Sequence, residues 1–396
     1  MKISVIGAGV QGSGCAFVAA NTAEVSEVVS ADINLKMAKQ AAEKSKSDMA
    51  SAERVDAGNV DDLLRVIKGS DTVINAILPR FNLNIMNAAL KSGANYVDLA
   101  SDVPAKVWVT KQLALDGKFK DAGLTAVVFT GGPFTTNAAV RYVSDRLDRV
   151  EEIRLKLGGT WGEKEEFIPT WSPGWCPEIA LTEWLYPQVY ENGKWKDVPQ
   201  FSGVETYAFP EPVGPVTLCH VDYEPVQTLP RFIGKGVKYV EMKQLPDRMA
   251  GSFIKMGFAS DKPIDVKGVK VAPRDVLLAL TPPAVETRAK MEKKRLRSGE
   301  RAVGCSLAEV KGEKNGQKII HLVYRIFNAK EDLEKFGTTA GGVAVPAVTT
   351  AVMLAKGEVK TKGVIPPEGL EPEPFLAKLA KKGFTFKETI TKEVRP

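Results

Sequence analysis

The chain has 396 residues, of which 44% are hydrophobic and 26% charged, with a net charge of +6. That length supports two domains with cores of their own, and the balance of apolar and charged residues excludes a disordered or fibrous chain. The charge is too small and too dispersed to point to nucleic acid: its densest patch, 290–301, is interrupted by Glu292 and Glu300 and reads as a solvated helix face.

In chain order, residues 2–6 form a short apolar run that reads as a buried strand and ends in Gly7-Ala8-Gly9-Val10-Gln11-Gly12. A helical pattern over 15–21 follows, and a second apolar run over 25–31 closes on Asp32. Strand, G-x-G-x-x-G, helix, strand and acid stand in the order and spacing of a dinucleotide-binding βαβ unit. Gly7 lets the chain turn off the strand, Gly9 has no Cβ to hold a pyrophosphate away, and Gly12 lets the helix lie close to the sheet. The helix N-terminus, at Val10 and Gln11, offers unpaired N–H groups and partial positive charge. Asp32 would accept the adenosine ribose hydroxyls and repel a 2′-phosphate, which argues for NAD; Lys36 and Lys39 just beyond leave NADP open.

Alternation continues with a helix over 36–46, a strand over 52–55 ending at Asp56, a helix from Asp61 that stops at Gly69, and a strand over 72–78 running into Pro79. A helix over 83–90 with Gly93 as its cap, strands over 96–99 and 125–129, and a helix over 111–122 between them complete the half. Six strand-like runs separated by helices predict a doubly wound parallel α/β sheet, a Rossmann-type domain over 1–133. From 134 to 336 the pattern changes to alternating runs (152–158, 203–209, 216–221, 237–242, 318–327) with helices over 273–280 and 283–297, which predicts an inserted α+β domain on a mainly antiparallel sheet. Residues 337–396 return to helix over 338–356 and 372–382, expected to pack back on the first domain.

Cys15, Cys176, Cys219 and Cys305 are scattered, without a C-x-x-C pair, and only His220 and His321 accompany them. This argues against a metal site and fits a reducing, cytoplasmic setting. A strand starting at residue 2 leaves no room for a signal peptide, and the apolar stretch 340–355 is too short to span a membrane. The partners expected are a small-molecule substrate and a second copy of the chain, with no nucleic acid, membrane or metal.

Ligands of open α/β sheets sit beyond the carboxyl ends of the strands. That rule singles out the glycine turn, Asp32, Asp56, the segment from Asn75 through Ala76 and Leu78 to Pro79, the acids Asp98 and Asp102, and the turn at Gly131 and Gly132 as cofactor or catalytic candidates. Capping or solvated roles stand equally open for Asp98 and Asp102, as does a plain strand-to-helix turn for Gly131 and Gly132. The aromatics Trp161, Phe167, Trp171, Trp175, Trp184 and Tyr186 read as a domain core or dimer interface, with a lid as the alternative.

Four segments resemble the saccharopine dehydrogenase-like reductases: V-I-G-A-G-V-Q-G with Asp32; N-A-I-L-P (75–79) with A-L-K-S-G-A-N-Y-V-D (89–98); T-W-S-P (170–173) through T-L-P-R (228–231); and G-V-I-P-P-E (363–368) with the helix after it. The resemblance implies a Rossmann domain, an inserted domain for substrate and dimer contacts, and hydride transfer at a C–N bond, on the pattern of lysine 6-dehydrogenase or saccharopine reductase. Proton transfer at nitrogen needs a group with a pKa near working pH. His220, with an unperturbed value of about 6.5, is such a group, although a structural role is open to it. Arg231 resembles the family's position for a substrate carboxylate. Trp171 and Ser172 could wall the pocket, and Thr339 stands at the start of a helix that could face substrate. A non-catalytic dinucleotide-binding dimer is the alternative function.

Overall fold

The computed structural model describes residues 1–101, 107–131, 135–160, 170–298 and 302–392. Its first half runs β1 (Lys2–Ile6), α1 (Val10–Ala20), β2 (Glu27–Asp32), α2 (Leu35–Lys44), β3 (Ala50–Arg54), α3 (Val60–Ile67), β4 (Thr72–Asn75), α4 (Asn82–Ser92), β5 (Asn95–Asp98), α5 (Asp116–Asp121), β6 (Thr125–Val127) and α6 (Thr135–Asp145). The caps are those the sequence signals: Asn34 and Asn59 accept backbone N–H bonds at the starts of α2 and α3, and Gly93, at φ +69°, ends α4 in the left-handed region that favours glycine.

The middle of the chain carries β7 (Arg149–Thr160), α7 (Pro177–Thr182), β8 (Gln188–Glu191), β9 (Lys194–Asp197), β10 (Glu205–Phe209), β11 (Gly214–His220), α8 (Pro225–Ile233), β12 (Tyr239–Gln244), α9 (Arg248–Lys255), β13 (Ile264–Val266), β14 (Val269–Val271), α10 (Pro273–Leu280), α11 (Ala284–Ser298), β15 (Val303–Lys314), β16 (Gln317–Asn328) and α12 (Ala329–Phe336). The chain then returns through α13 (Gly341–Ala355), β17 (Gly363–Ile365), α14 (Pro372–Lys381) and β18 (Lys387–Lys392).

The parallel sheet has seven strands, in the order β17-β6-β5-β4-β1-β2-β3. Its seventh strand is supplied from beyond residue 360, where the sequence reading places none: Gly363, Val364 and Ile365 pair with Thr125, Ala126 and Val127. Pairing outward from β1 in both directions puts the switch point between β1 and β4, at the glycine turn. The second sheet runs β10-β11-β12-β7-β15-β16-β18 and is antiparallel except where β12 lies parallel to β7. The chain's last strand, β18, belongs to this second sheet, so the segment after 337 divides between the two layers.

Between the layers, α13 packs on α1, β4 and β5. Gly14 on α1 lies so close that a Cβ there would stand 2.6 Å from the Ala340 methyl group. Ala344, Ala347, Val348 and Ala351 are buried in the same core as Cys15, Ala16 and Ala19. Small residues on both helices permit this approach, which is why an apolar 15-residue helix is covered by protein. Among the described residues no single helix is long and apolar enough to cross a membrane.

Candidate active site

β1 feeds directly into the glycine turn. Gly7 adopts φ +103° and donates its N–H to the Ala31 carbonyl at 2.7 Å. Gly12 lies against it: a Cβ on Gly12 would fall 1.8 Å from the Gly7 carbonyl oxygen. Around the position a Cβ on Gly9 would take, by contrast, no atom lies within 4 Å. Gly9 therefore opens onto free space, while Gly7 and Gly12 are held by the protein itself. Helix α1 begins at Val10 with no side-chain cap, so its first-turn N–H groups have no intrahelical partner. The Gln11 side-chain oxygen is buried without a hydrogen-bond partner. Asp32 ties the end of β2 to the turn, its carboxylate accepting the Ala8 N–H at 2.8 Å and the Asn34 N–H at 2.9 Å. An open glycine, uncapped N–H groups and a carboxylate at the neighbouring strand end fit the pyrophosphate and ribose of a dinucleotide.

The remaining strand ends are more committed. Asp56 accepts the Gly58 N–H at 2.8 Å and shapes the turn into α3. Ala76 donates to the Ile6 carbonyl, and Leu78 leads into a short 3₁₀ turn at Pro79–Phe81. Pro79, Arg80, Asn82, Leu83, Lys111 and Gln112 line a cavity of about 90 Å³. Gly131 passes so near β5 that a Cβ there would lie 2.4 Å from the Leu99 carbonyl oxygen. Asp102, Gly132, Trp161 and Phe167 lie outside the described residues.

Asp98 is 1% exposed, and both of its oxygens are occupied. One accepts the Phe129 N–H at 2.8 Å; the other accepts the Tyr96 hydroxyl at 3.0 Å and the Gln112 amide at 3.2 Å. Burial pushes its carboxyl up to about 7. Phe129 carries φ +65°, rare for a bulky residue, so the bond from Asp98 holds a strained turn at the end of β6. Asp98 thus positions backbone at the strand ends.

From Asp98 a chain of acids crosses the boundary between the layers. Ser101, just past β5, donates its N–H to Glu224 at 2.6 Å. Glu224 immediately precedes α8, is 4% exposed, and is pushed up to about 7 by burial and, secondarily, by Asp98. Next to it, Tyr223 donates its hydroxyl to Glu183 at 2.8 Å, and the Gln244 amide donates to the same carboxyl group at 3.2 Å. Burial, with Asp247 and Glu224 adding their fields, pushes Glu183 up to about 8. Asp247 in turn accepts the Trp171 indole N–H at 2.9 Å, and Trp171 packs edge-on against Phe253 at 5.5 Å. Among the described residues none of Asp98, Glu183, Glu224 and Asp247 is ion-paired. The T-W-S-P loop is thereby linked, group by group, to the carboxyl end of β5.

The other predicted residues fall elsewhere. His220 ends β11 on the opposite face of the second sheet, 3.1 Å from both Ser202 Oγ and a Glu241 oxygen. Its ring packs on Gly203, where a Cβ would lie 2.2 Å away. Arg231, in the last turn of α8, lies over the Trp195 ring at 3.9 Å and donates to the Gln227 carbonyl of its own helix. Ser172 donates to the Thr170 carbonyl at 3.4 Å. Thr339, beside the contact of α13 with α1, accepts from Arg288 at 2.6 Å and donates to Glu292. The structure thus joins Trp171 to Asp98 and leaves His220 and Arg231 outside that cluster. Glu183, Glu224, Asp247 and Arg288 were not singled out from the sequence. Glu224 had a signal there: an acid directly before proline marks a helix start, within the C-H-V-D-Y-E-P stretch that drew attention to His220.

Comparison with known proteins decides the family. Residues 3–127 match the saccharopine dehydrogenase NADP binding domain, and residues 139–384 match the saccharopine dehydrogenase C-terminal domain. The chain belongs to the saccharopine dehydrogenase family. It is 25% identical to carboxyaminopropylagmatine dehydrogenase of Synechocystis, over 98% of both chains. It is 30% identical to carboxynorspermidine synthase of Vibrio alginolyticus, over 84% of this chain and 81% of that one. In fold it is similar to saccharopine dehydrogenase (L-Glu forming) of Saccharomyces cerevisiae, with a TM-score of 0.69 at 15% identity over 98% and 99% of the two chains. The homospermidine synthase of Legionella pneumophila, solved with NAD, gives 0.63 at 12% identity over 99% of this chain and 91% of that one. As a member of this family the protein is an NAD(P)-dependent oxidoreductase, and the dinucleotide expected from the glycine turn is its cofactor.

Two outcomes follow from this geometry. Gly9→Ala should leave stability within about 0.5 kcal/mol yet weaken dinucleotide binding at least ~10-fold, whereas Gly12→Ala should cost about 1–3 kcal/mol of stability; calorimetric titration and urea unfolding separate them. Glu183 keeps, up to about pH 8, a proton that the unfolded chain releases near 4.5. The native state therefore binds more protons across that window, and stability falls as pH rises through it. In Glu183→Gln that fall should shrink by roughly 1–3 kcal/mol; an unchanged pH dependence of the unfolding free energy would contradict it.

Proposed function

We propose that the protein reduces, or in reverse forms, the C–N double bond of an imine derived from an amino acid and a polyamine-type amine, with NAD as the preferred dinucleotide. One observation carries the substrate class. Four buried or half-buried carboxyl groups, Asp98, Glu224, Glu183 and Asp247, meet at the layer boundary, and no cation pairs with any of them among the described residues. Buried acids without a cation favour a positively charged ligand, whose ammonium groups would supply the counter-charge that ionises them. The names of the relatives, carboxyaminopropylagmatine dehydrogenase and carboxynorspermidine synthase, describe cationic amines that also carry a carboxyl group. This reading moves the substrate away from lysine or saccharopine and toward polyamine precursors.

Gly7, Gly9, Val10, Gln11 and Gly12 hold the pyrophosphate in this reading, with Asp32 on the adenosine ribose. Gly131 and the segment from Ala76 to Pro79 border the nicotinamide half, and Trp171, Ser172 and Thr339 wall the substrate. When bound, the dinucleotide supplies or accepts the hydride; the chain's own groups orient the amine and exchange its proton. The copies of the chain pair as a homodimer in this reading.

Mixing the protein with NAD⁺ or NADP⁺ and carboxynorspermidine, carboxyaminopropylagmatine, saccharopine or lysine at alkaline pH, and following reduced-nicotinamide absorbance, tests the substrate. The two polyamine derivatives should react; turnover of lysine or saccharopine alone would overturn the assignment. Asp32→Ala should weaken NAD binding more than NADP binding, and equal losses in a fluorescence titration would remove the cofactor preference.

A further inference from the structure

Several clusters outside the glycine turn hold buried titratable groups. On the far face of the second sheet, Arg154, His220 and Lys243 all bind Glu241, so its charge is compensated. Glu368 is wholly buried and accepts the Asn137 amide at 3.0 Å. The exposed apolar face of the β13–β14 hairpin, formed by Ile264, Val266 and Val269, has nothing in the structure to indicate what covers it. Glu224 differs from all of these.

We propose that Glu224 is the group that exchanges a proton with the substrate nitrogen, an inference that rests on the oxidoreductase reading above. Three acids stand along the layer boundary with access to the strand ends, and their hydrogen bonds separate them. Both oxygens of Asp98 are taken, by Phe129 N–H on one side and by Tyr96 and Gln112 on the other. Both oxygens of Glu183 are taken, by Gln244 and Tyr223. Glu224 accepts its own backbone N–H and, on Oε1, the Ser101 N–H, and among the described residues Oε2 takes no hydrogen bond from another residue. The bond from Ser101 crosses between the layers, so it fixes Oε1 against the end of β5 and leaves Oε2 without a partner residue among those described. Of the titratable groups around it, Asp98 from β5 raises it, while Glu183, just past α7, and the adjacent Tyr223 are themselves raised by Glu224; no cation acts on it among the described residues. Burial first, and then the field of Asp98, disfavours the carboxylate, so the acid holds its proton to about pH 7, the range in which general acid–base catalysis is most effective.

In the reductive direction the C=N carbon gains a hydride, with its two electrons, from the reduced dinucleotide. Nitrogen gains the proton as the Glu224 O–H bond breaks and the N–H bond forms. The carboxylate left behind is reprotonated from water. Oxidation reverses each transfer, the carboxylate taking the proton from the ammonium.

Glu224→Gln is the test, because its amide oxygen can still accept the Ser101 N–H while the side chain has no proton to exchange. In the wild type the pH profile of kcat/KM for carboxynorspermidine should show a limb near neutrality. In the variant kcat should drop by at least ~100-fold and that limb should vanish, with circular dichroism and NADH fluorescence titration unchanged. An infrared difference spectrum, wild type minus variant, should show a carboxylic acid band that disappears as pH rises past neutrality. Unchanged kcat and limb in the variant would overturn the proposal, as would loss of the limb in His220→Gln with its retention in Glu224→Gln. If Glu224→Gln does not fold, Glu224→Asp replaces it: kcat should fall at least ~10-fold with the limb kept, and an undiminished kcat overturns the proposal. If wild type turns over none of the amines, the substrate reading fails; the infrared band then still decides whether Glu224 titrates as an acid at the boundary.

Discussion

The packing of α13 against α1 is the constraint on which the rest depends. Gly14 and Ala340 meet at a distance that admits no further methyl group, so two helices from opposite ends of the chain close on each other across one apolar core. Because interiors are packed at near-crystalline density, this contact fixes where the chain must leave and rejoin the parallel sheet. Everything between α6 and α12 is then an excursion with both ends anchored. Its second sheet is brought over the carboxyl ends of β5 and β6 rather than over any other edge. The end of β5 and the acids of the second layer come together as a consequence.

At that junction the energetics oppose stability. Asp98, Glu183 and Glu224 are withdrawn from water with no ion-pair partner among the described residues, and burial raises all three toward neutrality or above it. Hydrogen bonds from Tyr96, Gln112, Phe129, Tyr223 and Gln244 offset part of the desolvation, as buried polar groups require. A short list of uncompensated acids at one boundary is what a cationic ligand would complete. The charged network around Glu241 is solved differently: Arg154, Lys243 and His220 surround it, and its carboxyl is held down to about 2. The same residue types are thus ion-paired on one face of the sheet and, among the described residues, without a cation on the other.

Local physics made the first half legible. The period of its apolar runs, Asn34 and Asn59 as caps and Gly93 as a stop all act within a few residues of themselves, and the helix and strand assignments there hold to within a few residues, apart from α1, which begins earlier at Val10, and the predicted 111–122 helix, whose first turn is 3₁₀. Elsewhere the signals failed for identifiable reasons. β15 is covered on both faces, so its buried run from Val303 to Ala308 shows no alternation to read. β17 is three residues long and exists because β6 offers an unpaired edge. β18, exposed throughout, is recruited by ladder hydrogen bonds to β16 and has no apolar pattern of its own.

By itself the sequence determined the dinucleotide turn, because the work of Gly7, Gly9 and Gly12 is done by backbone freedom and by the absence of side chains within one βα unit. It also determined that a second layer of different character follows, since the change from helical to alternating periodicity is local. Only the tertiary structure decided which polar side chains of the second layer reach the ends of the parallel strands. His220 and Glu224 lie four residues apart in one quoted stretch, yet the strand sends the first to the far face of the sheet, and the helix that follows carries the second to Ser101. Which face a side chain takes, and whether burial there finds it a partner, depends on residues outside its own stretch: Ser101 stands 123 positions from Glu224 and Glu241 stands 21 from His220.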